Sequence, residues 1–375
     1  MINVGVIGCG NISAAYLNLA GMFNGYTITA CADINVDAAQ ARADEFDINA
    51  FSVDDMLRQP DIDLIINLTV PVAHFDVSSR CLQAGKHVYS EKPYVLSLQE
   101  GLELNQLAEN NNLRIGSAPD TFLGGAHQAA RQFIDAGSAG DIIGGSCAVQ
   151  SAGMESWHPD PDFFFQVGGG PILDIAPYYV SNLVQLIGPV KSIVAMSSRA
   201  RDVRVISSEP RAGDTIDVEV DTSVRAILQF CNGAQVSLVA SWDVRSHEHN
   251  HMELYGTEQT VYVPDPNRFG DVVRTNDGEV ETTINPLPAL GAANFEDANG
   301  NFIANYRGIG LADMVAGIAN NRPHRCNGQL ALHVMEVLTG ILTAAEERRE
   351  VELTTTCERP AVLSDNEARS LVQAA

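Results

Sequence analysis

Lysine is scarce in this chain: of the 23 basic residues among 375, only Lys86, Lys92 and Lys191 are lysines. Lys92 lies in Glu91-Lys92-Pro93, directly after the apolar run His87–Ser90. A lysine flanked by a carboxylate and fixed by proline can be desolvated beside a cofactor and hold a substrate oxygen. The plainer alternative is an exposed loop lysine. A second informative spacing opens the chain, where Gly8-Cys9-Gly10-Asn11-Ile12-Ser13 follows a first apolar run. Gly8 permits a tight turn, Gly10 lets the backbone approach a pyrophosphate, and the following helix N-terminus supplies N–H donors and positive dipole. Ser13 replaces the usual Gly or Ala but is small enough for close helix–strand packing. Asp33, at the end of the second apolar run, is placed to accept from a ribose hydroxyl and to repel a 2′-phosphate, which favours NAD over NADP. Its alternative is a glycine-rich turn with an unrelated aspartate.

Two further clusters carry chemistry-bearing groups. Trp157-His158-Pro159 lies in a Pro- and Phe-rich loop, and an aromatic beside a hydrogen-bonding imidazole suits stacking on a sugar face, making His158 a candidate substrate contact. A packed loop anchor would look the same. His247-Glu248-His249-Asn250-His251 contains a formal HExxH, which binds zinc only from a helix. Its flanks, SLVASWDV and MELYGTEQTVYV, are strand-like. A solvated strand face is therefore expected, with His247, His249 and His251 on one side and no zinc-hydrolase site; a substrate contact or an adventitious metal site is the alternative.

These residues need a scaffold, and the pattern supplies one. Through residue 120 short apolar runs (2–7, 27–32, 64–68, 87–90, 114–118) alternate with helical patterns (12–23, 36–46, 74–84, 97–110). That alternation is the signature of a doubly wound parallel sheet, and runs such as DLIINLTV are apolar enough to be buried on both faces. From about residue 141 longer runs alternate with period two, and Asn232-Gly233 reads as a hairpin turn between two of them. An α+β domain with a large, mainly antiparallel open sheet follows, with a helix near 171–186, a long loop near 285–305 and helices near 308–320 and 328–347. Pro177 interrupts the first of these, so it starts near Ile175 or Ala176. The division expected is 1–120 and 121–375.

Composition sets the outer bounds. With 47 Asp plus Glu the formal charge is −24, which argues against nucleic acid and an anionic membrane face as partners. So acidic a surface would suit a salty medium that screens its self-repulsion. The seven cysteines are scattered without a CxxC pair, so neither a disulfide framework nor a thiolate zinc site is expected. No uninterrupted apolar run reaches about 18 residues and the chain opens on a strand, so a cytoplasmic location is expected.

GVIGCGNIS, Thr69–His74 (TVPVAH), LQAGKHVYSEKP and GGGPILDIAPYY (168–179), taken in order, resemble the Gfo/Idh/MocA oxidoreductases, the glucose-fructose oxidoreductase and inositol dehydrogenase family. The resemblance implies a Rossmann domain, a C-terminal domain whose open sheet forms homodimers or homotetramers, and hydride exchange between NAD(P) and a sugar or cyclitol. It implies cofactor contacts from Gly8, Gly10, Asn11, Ile12, Asp33, Thr69, His74, Glu91 and Lys92. The family's second catalytic segment maps onto Asp174 and onto Tyr178, where most members carry histidine; some branches resemble this chain in having tyrosine. A phenol can take the hydroxyl proton if an ammonium stabilises the phenolate, and Lys92 is the candidate. Lys92, Asp174 and Tyr178 are thus the expected catalytic residues, although a core tyrosine and an N-capping aspartate would leave the same letters. Two alternatives stay open: an NAD-dependent glycoside hydrolase and a non-catalytic NAD-binding sensor.

Overall fold

The computed structural model describes residues 1–297 and 300–373, and among them shows a six-stranded and a nine-stranded sheet, two small two-stranded ribbons, and helices packed on the large sheets. The first part runs β1 (Ile2–Ile7), α1 (Asn11–Ala20), β2 (Tyr26–Ala32), α2 (Val36–Phe46), β3 (Asn49–Phe51), α3 (Val53–Arg58), β4 (Leu64–Asn67), α4 (His74–Gln83), β5 (His87–Ser90), α5 (Leu98–Asn110) and β6 (Ile115–Ser117). The strands pair in parallel in the order β3-β2-β1-β4-β5-β6. The order reverses between β1 and β4, and open α/β sheets bind ligands in the crevice at such a point. β1, β4 and β5 are almost wholly buried, as their unbroken apolar runs require. The doubly wound sheet expected from the pattern is present. The edge strand β3 and the short helix α3 were not anticipated; NAF is too short and too weakly apolar to stand out.

The second part opens with α6 (Gly125–Asp135), also not anticipated, then β7 (Ile142–Gln150), α7 (Gly170–Asp174), α8 (Ala176–Ile187) and β8 (Val190–Ser198). A small ribbon, β9 (Val203–Val205) and β10 (Thr215–Asp217), precedes β11 (Ser223–Phe230), β12 (Gln235–Ser241), β13 (Met252–Gly256), β14 (Thr260–Val263), β15 (Val273–Asn276) and β16 (Glu281–Ile284). Then come α9 (Pro288–Gly291), β17 (Phe295–Glu296), β18 (Phe302–Ile303), α10 (Ile309–Ala319), α11 (Gly328–Glu347), β19 (Val351–Glu352) and α12 (Asp365–Leu371). The large sheet has the order β16-β15-β14-β13-β7-β12-β11-β8-β19 and is antiparallel except where β12 meets β7. Asn232-Gly233 does form the β11–β12 turn, with Gly233 at φ +94°. The stretch expected to be a loop, 285–305, holds α9 and the β17–β18 hairpin; residues 298 and 299 within it lie outside the described residues.

One face of the large sheet is covered. Val224, Ala226, Leu228, Val236, Leu238 and Ala240 alternate inward, and α8 and α11 pack behind the sheet. Helix α11 is long and apolar enough to cross a membrane by length and composition, yet 72% of its most apolar window is buried between β8, α5 and α8. It is the central helix of this fold and carries the contact between the two parts. The Rossmann edge is also closed from the C-terminal side: Ser117 N donates to Cys326 O (3.1 Å), and Gly116 pairs with Asn327. A Cβ on Gly116 would come within 2.4 Å of Cys326 O, so the approach needs glycine there.

Candidate active site

The Gly-rich turn is shaped for a dinucleotide. Gly8 has φ +104°, and a Cβ there would stand 2.5 Å from the carbonyl carbon and oxygen of Leu68, so only glycine fits. Gly10 sits at the N-cap of α1 beside open space, since a Cβ on it would meet nothing within 4 Å, and no side chain caps the helix. Asn11 and Ile12 open the helix, leaving backbone donors and the positive dipole end for a pyrophosphate. Ser13 is buried and its hydroxyl donates back to Gly10 O (2.6 Å), which shows how a serine fits the third position. At the end of β2 the Asp33 carboxylate accepts from Cys9 N (2.7 Å) and Asn35 N (2.8 Å), so it is held against the turn. Each oxygen keeps a lone pair for a ribose hydroxyl. The residues fit NAD. Sequence reading missed Arg42, which reaches from α2 to Gly10 O (3.4 Å) and pairs with Glu45.

Thr69 and His74 follow β4. Asn67, fully buried, accepts from the Thr69 amide (3.2 Å) and hydroxyl (2.7 Å) and donates to His74 O (3.1 Å) and Ser78 Oγ (3.0 Å). The His74 ring lies between Pro93 O (2.6 Å) and Thr69 O (3.0 Å), tying this loop to the one that carries Lys92. Burial lowers its pKa, against the pull of those two carbonyls. His74 therefore holds two loops in register. Asn67 had no signal of its own inside an apolar run.

Lys92 and Asp174 meet across the two parts of the chain. The Lys92 ammonium donates to both Asp174 Oδ1 and Asp174 O, each at 2.7 Å, and lies 5.6 Å from the centre of the Tyr178 ring. The break between α7 and α8 makes this possible. In a continuous helix Asp174 O would accept from Tyr178 N; instead Tyr178 N turns to Ile175 O (3.3 Å), and Pro177 has no N–H to offer. The carbonyl is freed for the lysine. Asp174 and Tyr178 thus belong to two helices, as the proline suggested. Burial disfavours the Lys92 charge, but Asp174 and Tyr178 outweigh it and raise its pKa above the ordinary lysine value. Lys92 and Asp174 stay partly open, at 18% and 19% side-chain exposure.

Glu91 points the other way. Its Oε2 accepts from Lys92 N (2.9 Å), while Oε1 accepts from the Tyr16 hydroxyl (2.9 Å) and faces Arg307 Nη1 at 3.4 Å. Tyr16, Arg307 and the buried Asp120 were not singled out in the sequence; nothing in their neighbourhoods marks them. The His158 ring packs edge-on against Trp157, Phe163 and Phe164, and Nδ1 accepts from Asp160 N (3.1 Å). It makes no hydrogen bond or ring contact with Lys92, Asp174 or Tyr178 among the described residues. The strand expected for His247–His251 is corrected. Residues 247–250 are irregular, with the His247 and His249 rings stacked at 6.0 Å, because the ladder to β7 begins only where Ala148 N donates to His251 O. His251 instead meets the Tyr179 hydroxyl through Nδ1 (3.0 Å).

Residues 2–118 match the family model described as an oxidoreductase family, NAD-binding Rossmann fold, and residues 127–262 match the GFO/IDH/MocA C-terminal domain. The chain belongs to the GFO/IDH/MocA family. As a member it is an oxidoreductase-family protein with an NAD-binding Rossmann domain. An uncharacterized oxidoreductase, C115.03, of Schizosaccharomyces pombe is 24% identical over 227 residues, spanning 55% of this chain and 61% of that protein. Levoglucosan dehydrogenase of Pseudarthrobacter phenanthrenivorans is 24% identical over 289 residues, 69% of this chain and 73% of the relative. A levoglucosan dehydrogenase structure in complex with NADH and L-sorbose superposes with a TM-score of 0.79 at 22% identity, covering 95% of this chain and 99% of that one, which shows the shared fold.

Proposed function

We propose that this GFO/IDH/MocA protein oxidises a hydroxyl of a sugar or cyclitol, or reduces the corresponding ketone, with NAD. The observation that carries the reading is the meeting of the Lys92 ammonium with Asp174 and the Tyr178 ring, beside the crevice that suits NAD. When bound, NAD supplies the hydride acceptor; alignment and proton handling fall to the protein. Lys92 keeps its proton, because burial is outweighed by Asp174 and Tyr178. It therefore acts as a donor that fixes the reacting oxygen, and Tyr178 takes the hydroxyl proton. Asp174 orients both the ammonium and the substrate. NADH and L-sorbose in a related dehydrogenase support a polyol of sugar size.

The division 1–120 and 121–375 accompanies this reading, and the tail of the second part returns to the first, where Asn24 Nδ2 donates to Val372 O (2.8 Å). Assembly as a homodimer or homotetramer is proposed from the outer face of the large sheet, which exposes Val194, Met196 and Ile227 side by side. Light scattering tests it; a monomer rejects it.

A panel of sugars and inositols assayed with NAD and NADP decides the activity. Absorbance at the reduced-nicotinamide band should rise with at least one polyol and NAD. No reduction with any of them would reject the proposal, and aglycone release without net NADH would favour the hydrolase alternative. No observation favours the hydrolase or the sensor now.

A further inference from the structure

The nucleotide crevice holds a cation next to the acid placed to read the ribose. Helix α2 begins three residues after Asp33 and lays Ala39 and Ala43 against the sheet. Arg42 leaves the helix beside them. Helical side chains lean toward the N-terminal end of their helix, so its guanidinium comes level with the glycine turn. There Nη2 lies 3.4 Å from Gly10 O. Asp33 grips the preceding residue of the same turn, accepting from Cys9 N at 2.7 Å. A carboxylate and a guanidinium thus hold successive residues of one turn.

The turn does not need this arginine. Gly10 O already accepts from Ser13 N (3.1 Å) and Ser13 Oγ (2.6 Å), which use both of its lone pairs and leave the 3.4 Å contact weak. The other contacts of Arg42 hold it loosely. Nη1 pairs with Glu45 at 2.5 Å, but the Glu45 side chain is 54% exposed, and ion pairs open to water contribute little. The guanidinium carbon stands 5.9 Å from the centre of the Phe46 ring. Nε is buried and has no hydrogen-bond partner among the described residues. Burying a charge is costly when its donors go unused. A guanidinium only 17% exposed, brought beside the open space at Gly10, is accounted for by an anion that it is there to meet.

The chemistry of the cofactor says which anion. The pyrophosphate, common to NAD and NADP, suits the backbone donors at the start of α1; the two cofactors differ only in the phosphate on the adenosine 2′-hydroxyl, the group that Asp33 is placed to repel. We propose that Arg42 is a specificity-determining residue of the nucleotide site that answers the 2′-phosphate, so that NADP enters this crevice as well as NAD. Asp33 still favours NAD, and Arg42 offsets part of the repulsion. A guanidinium suits the task because its planar fork meets a phosphate through two parallel donors. The inference concerns nucleotide binding alone and does not depend on which alcohol is oxidised.

Calorimetric titration of the full chain with NADH and with NADPH tests it. Wild type should bind both, NADPH the more weakly; Arg42→Gln should weaken NADPH by about tenfold or more while leaving NADH within about threefold, and Arg42→Lys should recover part of the loss. No NADPH binding by wild type would overturn the proposal. So would equal losses for the two nucleotides in R42Q, which is what an arginine that merely braces the turn would give. Adenosine 2′,5′-bisphosphate and 5′-AMP, which lack the nicotinamide, supply a second readout. In wild type the affinity of the bisphosphate should fall more steeply with salt than that of 5′-AMP, and the gap should narrow in R42Q; an unchanged gap rejects the idea. If R42Q does not fold, Glu45→Gln replaces it. Releasing the guanidinium from Glu45 should tighten NADPH and leave NADH unchanged, and weaker or unaltered NADPH binding would count against Arg42.

Discussion

Replacing Lys92 by methionine keeps the stem and removes the ammonium. Two charge-assisted hydrogen bonds, both at 2.7 Å to Asp174, disappear with it. Each hydrogen bond to a charged group is worth about 1.5–3 kcal/mol, but Asp174 is 19% exposed and water takes over part of the role. A stability loss of about 1–3 kcal/mol is the structural share. On the proposed mechanism catalysis should lose more, because the donor assigned to the reacting oxygen is gone; an effect of about 10²–10⁴-fold on kcat corresponds to about 3–5 kcal/mol. Lys92→Met, Asp174→Asn and the double variant should be assayed at saturating NAD with the best polyol. The two single losses should not add, since each breaks the same ion pair. Full turnover by K92M, or strictly additive losses, would refute the assigned roles.

Asp33→Ser removes the charge that opposes a 2′-phosphate and leaves Arg42 at the same corner. Unit charges about 4 Å apart at an effective dielectric of about 20 interact by about 4 kcal/mol, and solvent reduces that here, so the NAD over NADP preference should fall on the order of 10²-fold; equal preference ratios in wild type and D33S would contradict it. Acid should destabilise the fold through His127 and His324, both buried and both pushed down to about 4 mainly by burial. They stay neutral in the fold while the unfolded chain protonates them near 6.5, so stability is intact above that pH and falls as pH drops toward 4, by up to about 3 kcal/mol for each. Melting temperatures of wild type and His127→Gln between about pH 7 and about pH 4.5 check this, the variant showing the flatter dependence. The charge of −24 predicts a higher melting temperature in molar salt than at low ionic strength, and equal values would dispose of the salt argument.

The sequence by itself determined the Rossmann half to a degree that needed little correction. Its strands are buried on both faces, so their apolar runs are unbroken, and Gly8 is forced by backbone geometry, while Gly10 and the Asp33 carboxylate that accepts from Cys9 N lie with it inside one βαβ unit. Lys92 was legible because lysine is rare in this chain, and Pro177 announced the helix break because proline lacks the donor a helix interior needs. Short edge elements such as β3 escaped, having too few residues to show a period. Tertiary structure alone decided what meets what. Lys92 and Asp174 are 82 residues apart, and Arg307 reaches Glu91 across 216, distances over which no local pattern carries information. Tyr16, Asn67, Asp120 and Arg307 look ordinary in sequence because their roles come from burial and from partners supplied by remote segments, and only the tertiary structure shows the aromatic rings that pack around His158.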